Sequence, residues 1–300
     1  MNTLTKSPLR VACAAWAAAQ RALPRYAHPY SPKKYSQPQL FACLALKTFF
    51  KTDYRGITAL LQDLPDLRAT LHLRAVPHWT TLQKASVRLL RLPRVRRLLR
   101  ASLRGHRKRP RRARRAALDS TGLDCGHASS YYVRRRARDG KSWQHTTYRP
   151  YGKLELSVNC DTHEILAALP ARGPRVDGDR FVPLLDETLQ NVGVDTVLAD
   201  AGYDSEPNHQ HARVKRGVRS VIPATIGRPT DKPPTGYWRR RMKARLNKDY
   251  CQYGQRWQVE TVISMIKRRL SAILYARSYW AQCREMMLLV LTYGFMLEIP

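Results

Sequence analysis

The chain has 300 residues, 43% of them hydrophobic, and 54 Lys and Arg against 22 Asp and Glu give a formal net charge of +32 at pH 7. Such a composition folds, so a disordered chain is excluded, and the length suits one large domain or two smaller ones. A cationic excess of this size opposes compaction unless a polyanion screens it, which points to nucleic acid ahead of an anionic membrane surface.

The six cysteines (Cys13, Cys43, Cys125, Cys160, Cys251 and Cys283) are scattered, with no C-x-x-C pair. They read as reduced thiols of a cytosolic protein, without a disulfide framework or a zinc knuckle. Residues 11–19 are Ala-rich and superficially resemble a signal peptide, but they are weakly hydrophobic and lead into strongly basic chain, so a packing or surface helix is expected. Residues 286–297 are apolar but too short to span a bilayer, so they predict a buried helix and no membrane partner.

In chain order, residues 1–93 read as all-helical. Helices are predicted over 11–23, ended by Pro24; over 39–51; over 54–61, stopped near Pro65; and after a turn at Pro77, with Thr80 or Thr81 as cap. Short helices with basic exposed faces suit a DNA-binding module, and equally a helical cap on a catalytic domain. Residues 94–115 carry the densest run of Arg and Lys, a nonspecific phosphate binder that reads as a linker. From residue 116 the pattern changes. Strands are predicted over 116–121, 153–159, 164–170, 195–200 and 219–223, with a hairpin turn at Asp161-Thr162-His163 and helices over 180–192 and 206–216. Residues 225–247, rich in Pro and Arg, read as a loop over the site or a basic arm. Strands alternating with helices give an α/β domain around a mixed sheet over 116–300.

Two of these strands deliver an aspartate at or near their ends: Asp119 in LDSTG and Asp200 in VLADAGYDS. An acid leaving a central strand faces the crevice where ligands bind. Residues 250–270 then read as one amphipathic helix on which Tyr253, Arg256, Glu260 and Lys267 fall within roughly 40° of a common direction. Val259, Ile263, Ile266 and Leu270 lie to one side for packing. The same spacing would serve a solvated face laced with i,i+4 pairs such as Arg256 with Glu260. Three converging carboxylates repel one another unless cations lie between them. Oxygen-only ligands suit Mg²⁺ or Mn²⁺, and two such ions suit phosphoryl transfer on DNA or RNA. Asp204, in the same GYDS turn as Asp200, is expected to cap the next helix.

At LDSTG, VLADAGYDS and the spacing Y-x2-R-x3-E-x6-K (Tyr253, Arg256, Glu260, Lys267), the chain resembles DDE-type insertion-sequence transposases with a ribonuclease H-like catalytic core. The resemblance covers most of residues 116–270. It implies a ribonuclease H-like mixed sheet flanked by helices and preceded by the helical N-terminal region. It also implies that Asp119, Asp200 and Glu260 form the metal-binding catalytic triad, with two Mg²⁺ or Mn²⁺ ions. Tyr253, Arg256 and Lys267 would hold the transposon end through its phosphates, and Trp257 would either stack on an extruded base or pack. The partners it implies are double-stranded DNA, as element ends and target, and a second copy of the chain on that DNA, in the cytoplasm with the nucleoid. The relatives best known for this spacing carry a long β-rich insertion between the second Asp and the Glu. Here only about sixty residues intervene, which leaves both hairpin and simple nicking routes open. Residues 225–247 and 131–149 are candidates for contacts with the DNA end. A metal-dependent nuclease that does not join strands, and a non-catalytic repressor derived from a transposase, are the rival readings.

Overall fold

The structure, a computed structural model, describes residues 3–105, 112–126, 151–174, 176–224 and 233–298. The segment 131–149 and residues 225–232 therefore lie outside the described residues, as do 106–111 of the basic run.

The N-terminal region is helical because most of its segments start on a side-chain cap and present an apolar stripe. In α1 (Pro8–Ala22), Ser7 caps the Arg10 amide and Pro8 occupies the first turn. Val11, Ala12, Ala15, Ala18 and Ala19 are buried at helical spacing, so the Ala-rich segment is a packing helix. Helix α2 (Gln37–Phe49) begins with a capping box: Ser36 Oγ accepts the Gln39 amide and Gln39 Oε1 accepts the Ser36 amide. It is buried from Leu40 through Leu46. Next come α3 (Tyr54–Asp63), capped by Asp53, and a short α4 (Pro65–Thr70), which Pro65 starts as well as separates.

Helix α5 (Trp79–Leu89) is capped by His78, whose Nδ1 accepts the Thr80 amide at 3.4 Å. The threonines expected as caps stand inside the first turn. Helix α6 (Leu92–Gly105) occupies the first half of the basic run that reads as a linker. Val95, Leu98, Leu99 and Ala101 are buried; their spacing was hidden among arginines.

The sheet is built on β2 (Arg112–Cys125). It runs antiparallel to β3 (Tyr151–Asn159), which pairs antiparallel with β4 (Ile165–Gly173). On its other edge β2 runs parallel to β5 (Gly193–Ala199), and β5 parallel to β6 (Arg219–Val221). The order is β4-β3-β2-β5-β6, with the short β7 (Ile273–Leu274) extending the end of β2. The tight turn between β3 and β4 places His163 at φ 57°. Parallel pairing demands crossovers, supplied by α7 (Phe181–Asn191) and by α8 (Glu206–Gln210), which a π-turn continues over His211–Lys215. Phe181, Leu184 and Leu185 cover one face of the sheet with Leu118, Leu166 and Val197. This is the ribonuclease H-like α/β fold expected from the sequence.

Two further helices differ from expectation. Residues 237–247, expected as loop or arm, belong to α9 (Tyr237–Tyr253), a run without Gly or Pro and rich in strong helix formers. The predicted single helix over 250–270 is broken: α9 ends at Tyr253, a 3-10 turn spans Gly254–Arg256, and α10 (Trp257–Arg269) follows. Gly254 is the weak helix former at the break. Val259, Val262 and Ile266 of α10 are buried. Helix α11 (Tyr279–Met296) is the buried apolar helix predicted near the C-terminus. Its residues share one core with Val11, Phe41 and Leu98 of the helical region and with Ala117, Leu154 and Leu156 of the sheet. Beyond it, β8 (Leu297–Glu298) pairs antiparallel with β1 (Thr3–Leu4).

Because α11 belongs to both halves of that core, Leu291→Ala should destabilise them together. Leu291 is fully buried, so the expected loss is about 2–5 kcal/mol. Urea denaturation followed by far-UV dichroism and by amide exchange in α2 and β3 should show a single, coincident, earlier transition. Separate transitions for the two probes would contradict the shared core.

Candidate active site

The site is set by strand register. Leu118 of β2 pairs with Ala199 of β5, the last residue of that strand, so Asp119 and Asp200 are the next residues on neighbouring parallel strands. Parallel strands in register project corresponding side chains to the same face, and Asp200 keeps an extended backbone (φ −75°, ψ 175°). Asp119 Oδ1 accepts the Ser120 amide at 2.7 Å. Asp200 caps the 3-10 turn Ala201–Tyr203, with its Oδ1 accepting the Gly202 amide at 3.0 Å. A Cβ at Gly202 would lie 3.1 Å from that oxygen, which favours glycine in this close turn.

Glu260 enters from α10, in its first turn. Arg256 connects it to the sheet: Nη2 donates to Glu260 Oε1 at 2.5 Å, and Nη1 lies 3.5 Å from Asp119 Oδ2. The same guanidinium stands 6.0 Å from the centre of the Tyr253 ring. The helix break leaves these contacts intact because Tyr253 and Arg256 are one turn apart in either geometry. Asp119 has 18% of its side chain exposed and Glu260 53%. The structure thus gathers Asp119, Asp200, Tyr253, Arg256 and Glu260. Trp257 is half exposed at the start of α10. Lys267 lies two turns beyond Glu260, half-buried, with no ion pair among the described residues. Among the described residues, neither of these two side chains makes a hydrogen bond or ion pair with the cluster.

Burial pushes the Asp119 carboxyl up to about 6, the repulsion of Asp200 and Glu260 adds to it, and the Ser120 amide and Arg256 oppose it. Burial also raises the Tyr253 hydroxyl, against the pull of Arg256. Arg256 itself is raised: its bond and attraction to Glu260 outweigh its burial. The fields of the other two acids therefore both act on Asp119. As the side chains stand, no group of three His, Cys, Asp or Glu among the described residues is close enough to hold a metal ion. Arg256 supplies the positive charge between two of the acids. By donor type, three carboxylates suit a hard divalent cation such as Mg²⁺ or Mn²⁺.

On the opposite face of the sheet from this cluster lie charged residues that sequence reading missed. Lys153 and Glu155 occupy the polar positions of an alternating strand, which usually face water, yet both are buried: Lys153 pairs with Asp177 at 2.6 Å and Glu155 with Arg180 at 3.0 Å. A cavity of about 430 Å³, lined in part by Ser120, Gly122, Lys153 and Asp177, opens on this side. Ser120 and Gly122 face away from Asp119 along β2, so the cavity lies across the strand from the acids. Asp204 is a correction: the cap of α8 is Ser205, whose Oγ accepts the Asn208 amide. Asp204 is instead fully buried and paired with Arg239 Nη2 at 2.7 Å. The sequence carried no spacing signal for a partner thirty-five residues away.

The raised carboxyl gives a signed pH dependence. With its folded value above the ordinary 3.8, Asp119 contributes no penalty below about pH 4, and the penalty grows until the group is fully ionised above about pH 6. In metal-free protein, Asp119→Asn should therefore raise the Tm near pH 7.5, by an amount corresponding to on the order of 2–3 kcal/mol at most, and leave it nearly unchanged near pH 4. Equal destabilisation at both pH values would contradict this assignment.

Residues 110–295, well over half of the chain, match the transposase DDE domain family. The match spans the sheet from just before β2 and the helices that cover it, and takes in all of the residues gathered above. A transposase-type function acting on DNA follows at that level of description, and no helix among the described residues is long and apolar enough to cross a membrane. With its ribonuclease H-like fold and its two strand-end acids, the chain belongs to the transposase DDE domain family.

Proposed function

We propose that the protein is a DNA transposase that cleaves the ends of its own insertion element and transfers the 3′-hydroxyl ends to target DNA. Asp119, Asp200 and Glu260 would hold Mg²⁺ or Mn²⁺, in the two-ion form known for phosphoryl transfer. The observation that carries this reading is the register that places Asp119 and Asp200 side by side at the ends of parallel strands, with Glu260 tied to Asp119 through Arg256. When bound, the metal would polarise the scissile phosphodiester and lower the pKa of an attacking water or hydroxyl.

The chain's own residues supply the rest. Arg256 is positioned to exchange its carboxylate partners for a backbone phosphate, since a guanidinium binds either anion in the same geometry. Tyr253 lies beside it as a hydrogen-bond donor, and Lys267 provides a further cation on the same side of α10. Trp257, half exposed, is available to stack on an extruded base. The helical region 1–93 and the exposed basic residues of 94–115 would grip DNA outside the site, the catalytic domain being built on the sheet whose central strand β2 begins at Arg112. Two ends must be held together, so a dimer on DNA is expected, in the cytoplasm on the nucleoid. Among the described residues no strand lies between β6 and α9, which favours end processing without a large β-rich insertion.

The test is cleavage of a labelled duplex carrying the element's end, with Mg²⁺ or Mn²⁺. Wild type should cut and then join the 3′ end to target DNA, and Glu260→Ala should lose cutting by at least about 10³-fold while duplex affinity changes less than about threefold. Affinity of both proteins should fall steeply between low and physiological salt. Cutting without joining would replace the proposal by a nuclease. Tight binding without cutting under either metal would replace it by a repressor.

A further inference from the structure

Helix α9 leads directly into the turn and helix that carry Arg256 and Glu260, and its first turn is fastened to the residues that follow Asp200. Glu206, six residues after Asp200, caps α9: its two carboxylate oxygens accept the backbone amides of Trp238 and Arg239, each at 3.1 Å. Asp204, four residues after Asp200 and fully buried, accepts from Arg239 Nε at 2.9 Å and Nη2 at 2.7 Å. A third contact comes from Arg213, whose guanidinium lies 4.9 Å from the Trp238 ring centre and is itself held by Ser220 of β6. Gly236 makes the approach possible, with φ 98° and a would-be Cβ only 2.3 Å from Glu206 Oε2. A carboxylate at a helix N-terminus is favoured by both the free amides and the dipole. Two acids and a cation thus converge on one helix turn, far more fixing than capping alone requires.

We infer that Asp204 and Glu206 are positioning residues, a clasp that ties the turn bearing Asp200 to the helix leading to Glu260 and so sets the separation of these two acids. The inference rests on the proposed function for its metal, but the fixing itself is a property of these residues. The clasp touches neither DNA nor metal. The Glu260 segment is also fixed by the packing of Val259, Val262 and Ile266 on the sheet, by the hydrogen bond between Gln258 Oε1 and His163 Nε2, and by Arg256 against Asp119. With the clasp open, the Gly254 break leaves α10 without its restraint from the helix before it, and the spacing from Glu260 to Asp200 is set by those remaining contacts alone. Binding of a divalent ion depends steeply on that spacing, because its ligand distances vary by only a few tenths of an ångström. Outer partners that orient ligands typically carry about 10- to 100-fold of metal affinity.

The test is Mn²⁺ binding to the full chain, measured by electron paramagnetic resonance titration, with amide exchange of residues 237–241 in parallel. Glu206→Ala should speed that exchange and weaken Mn²⁺ about 10- to 100-fold, while metal-free affinity for an end duplex changes less than about threefold. Glu206→Gln, which keeps one acceptor, should fall between them, and Gly236→Ala should reproduce the alanine variant by forcing the carboxylate away. Asp186→Asn, which removes a surface pair with Arg216, should leave Mn²⁺ binding unchanged. Faster exchange in both Glu206 variants with wild-type Mn²⁺ affinity would overturn the clasp while leaving the proposed function standing. Loss of Mn²⁺ binding in Asp186→Asn to the same degree would also overturn it. Absence of Mn²⁺ binding in the wild type would overturn the proposed function and the clasp's role with it.

Discussion

Two carboxylates on adjacent strand ends, with a third facing them, raise the free energy of the folded chain. Asp119 registers this directly, through burial and through the fields of Asp200 and Glu260. The remainder of the site can be read as what makes that placement tolerable. The Ser120 and Gly202 amides each give one acid a hydrogen bond, and Arg256 spans two of the acids. A folded protein seldom retains such a cost without a use for it. Here the use suggested is a site whose net negative charge a cation and a phosphate partner can satisfy jointly.

Holding that register takes a sheet that cannot slip. A one-residue shift of β2 against β5 would exchange its two faces, and both faces are buried by helices. Phe181 and Leu184 close one side; Val259, Val262 and Ile266 close the other. Helix α11 extends the second core into the N-terminal helices, so the positions of the acids are coupled to packing far from them. Buried ion pairs such as Glu155 with Arg180 are weak sources of stability in themselves, because desolvation offsets the attraction. Their effect is to fix the β4–α7 connection against β3.

Much of this was legible in the sequence, for reasons that can be traced. Asp119 and Asp200 were marked by apolar runs that end on an acid, and Tyr253, Arg256 and Glu260 by helical spacing that survives the change from one helix to two. The first half of β2 was hidden because exposed Arg112 and Arg114 flank a single buried Ala113, a short alternation masked by the basic run before it. Lys153 and Glu155 looked solvent-facing because alternation reports polarity and not whether a helix covers the polar side. The break at Gly254 and the helix before it were missed because Pro and Arg density around residues 225–240 outweighed the strong helix formers that follow. The true partners of Asp204 and Glu206 escaped notice since they lie more than thirty residues on, a distance over which local spacing carries no information.

The central claim is that Asp119, Asp200 and Glu260 are one metal site. The most direct measurement is anomalous diffraction at the manganese edge from crystals of the full chain grown with an end duplex and Mn²⁺. The account predicts an anomalous peak within ligand distance of Asp119 and Asp200, with Glu260 brought onto the same site and Arg256 turned to a DNA phosphate. Manganese bound elsewhere, with Arg256 still bridging Asp119 and Glu260 beside an ordered duplex, would contradict it.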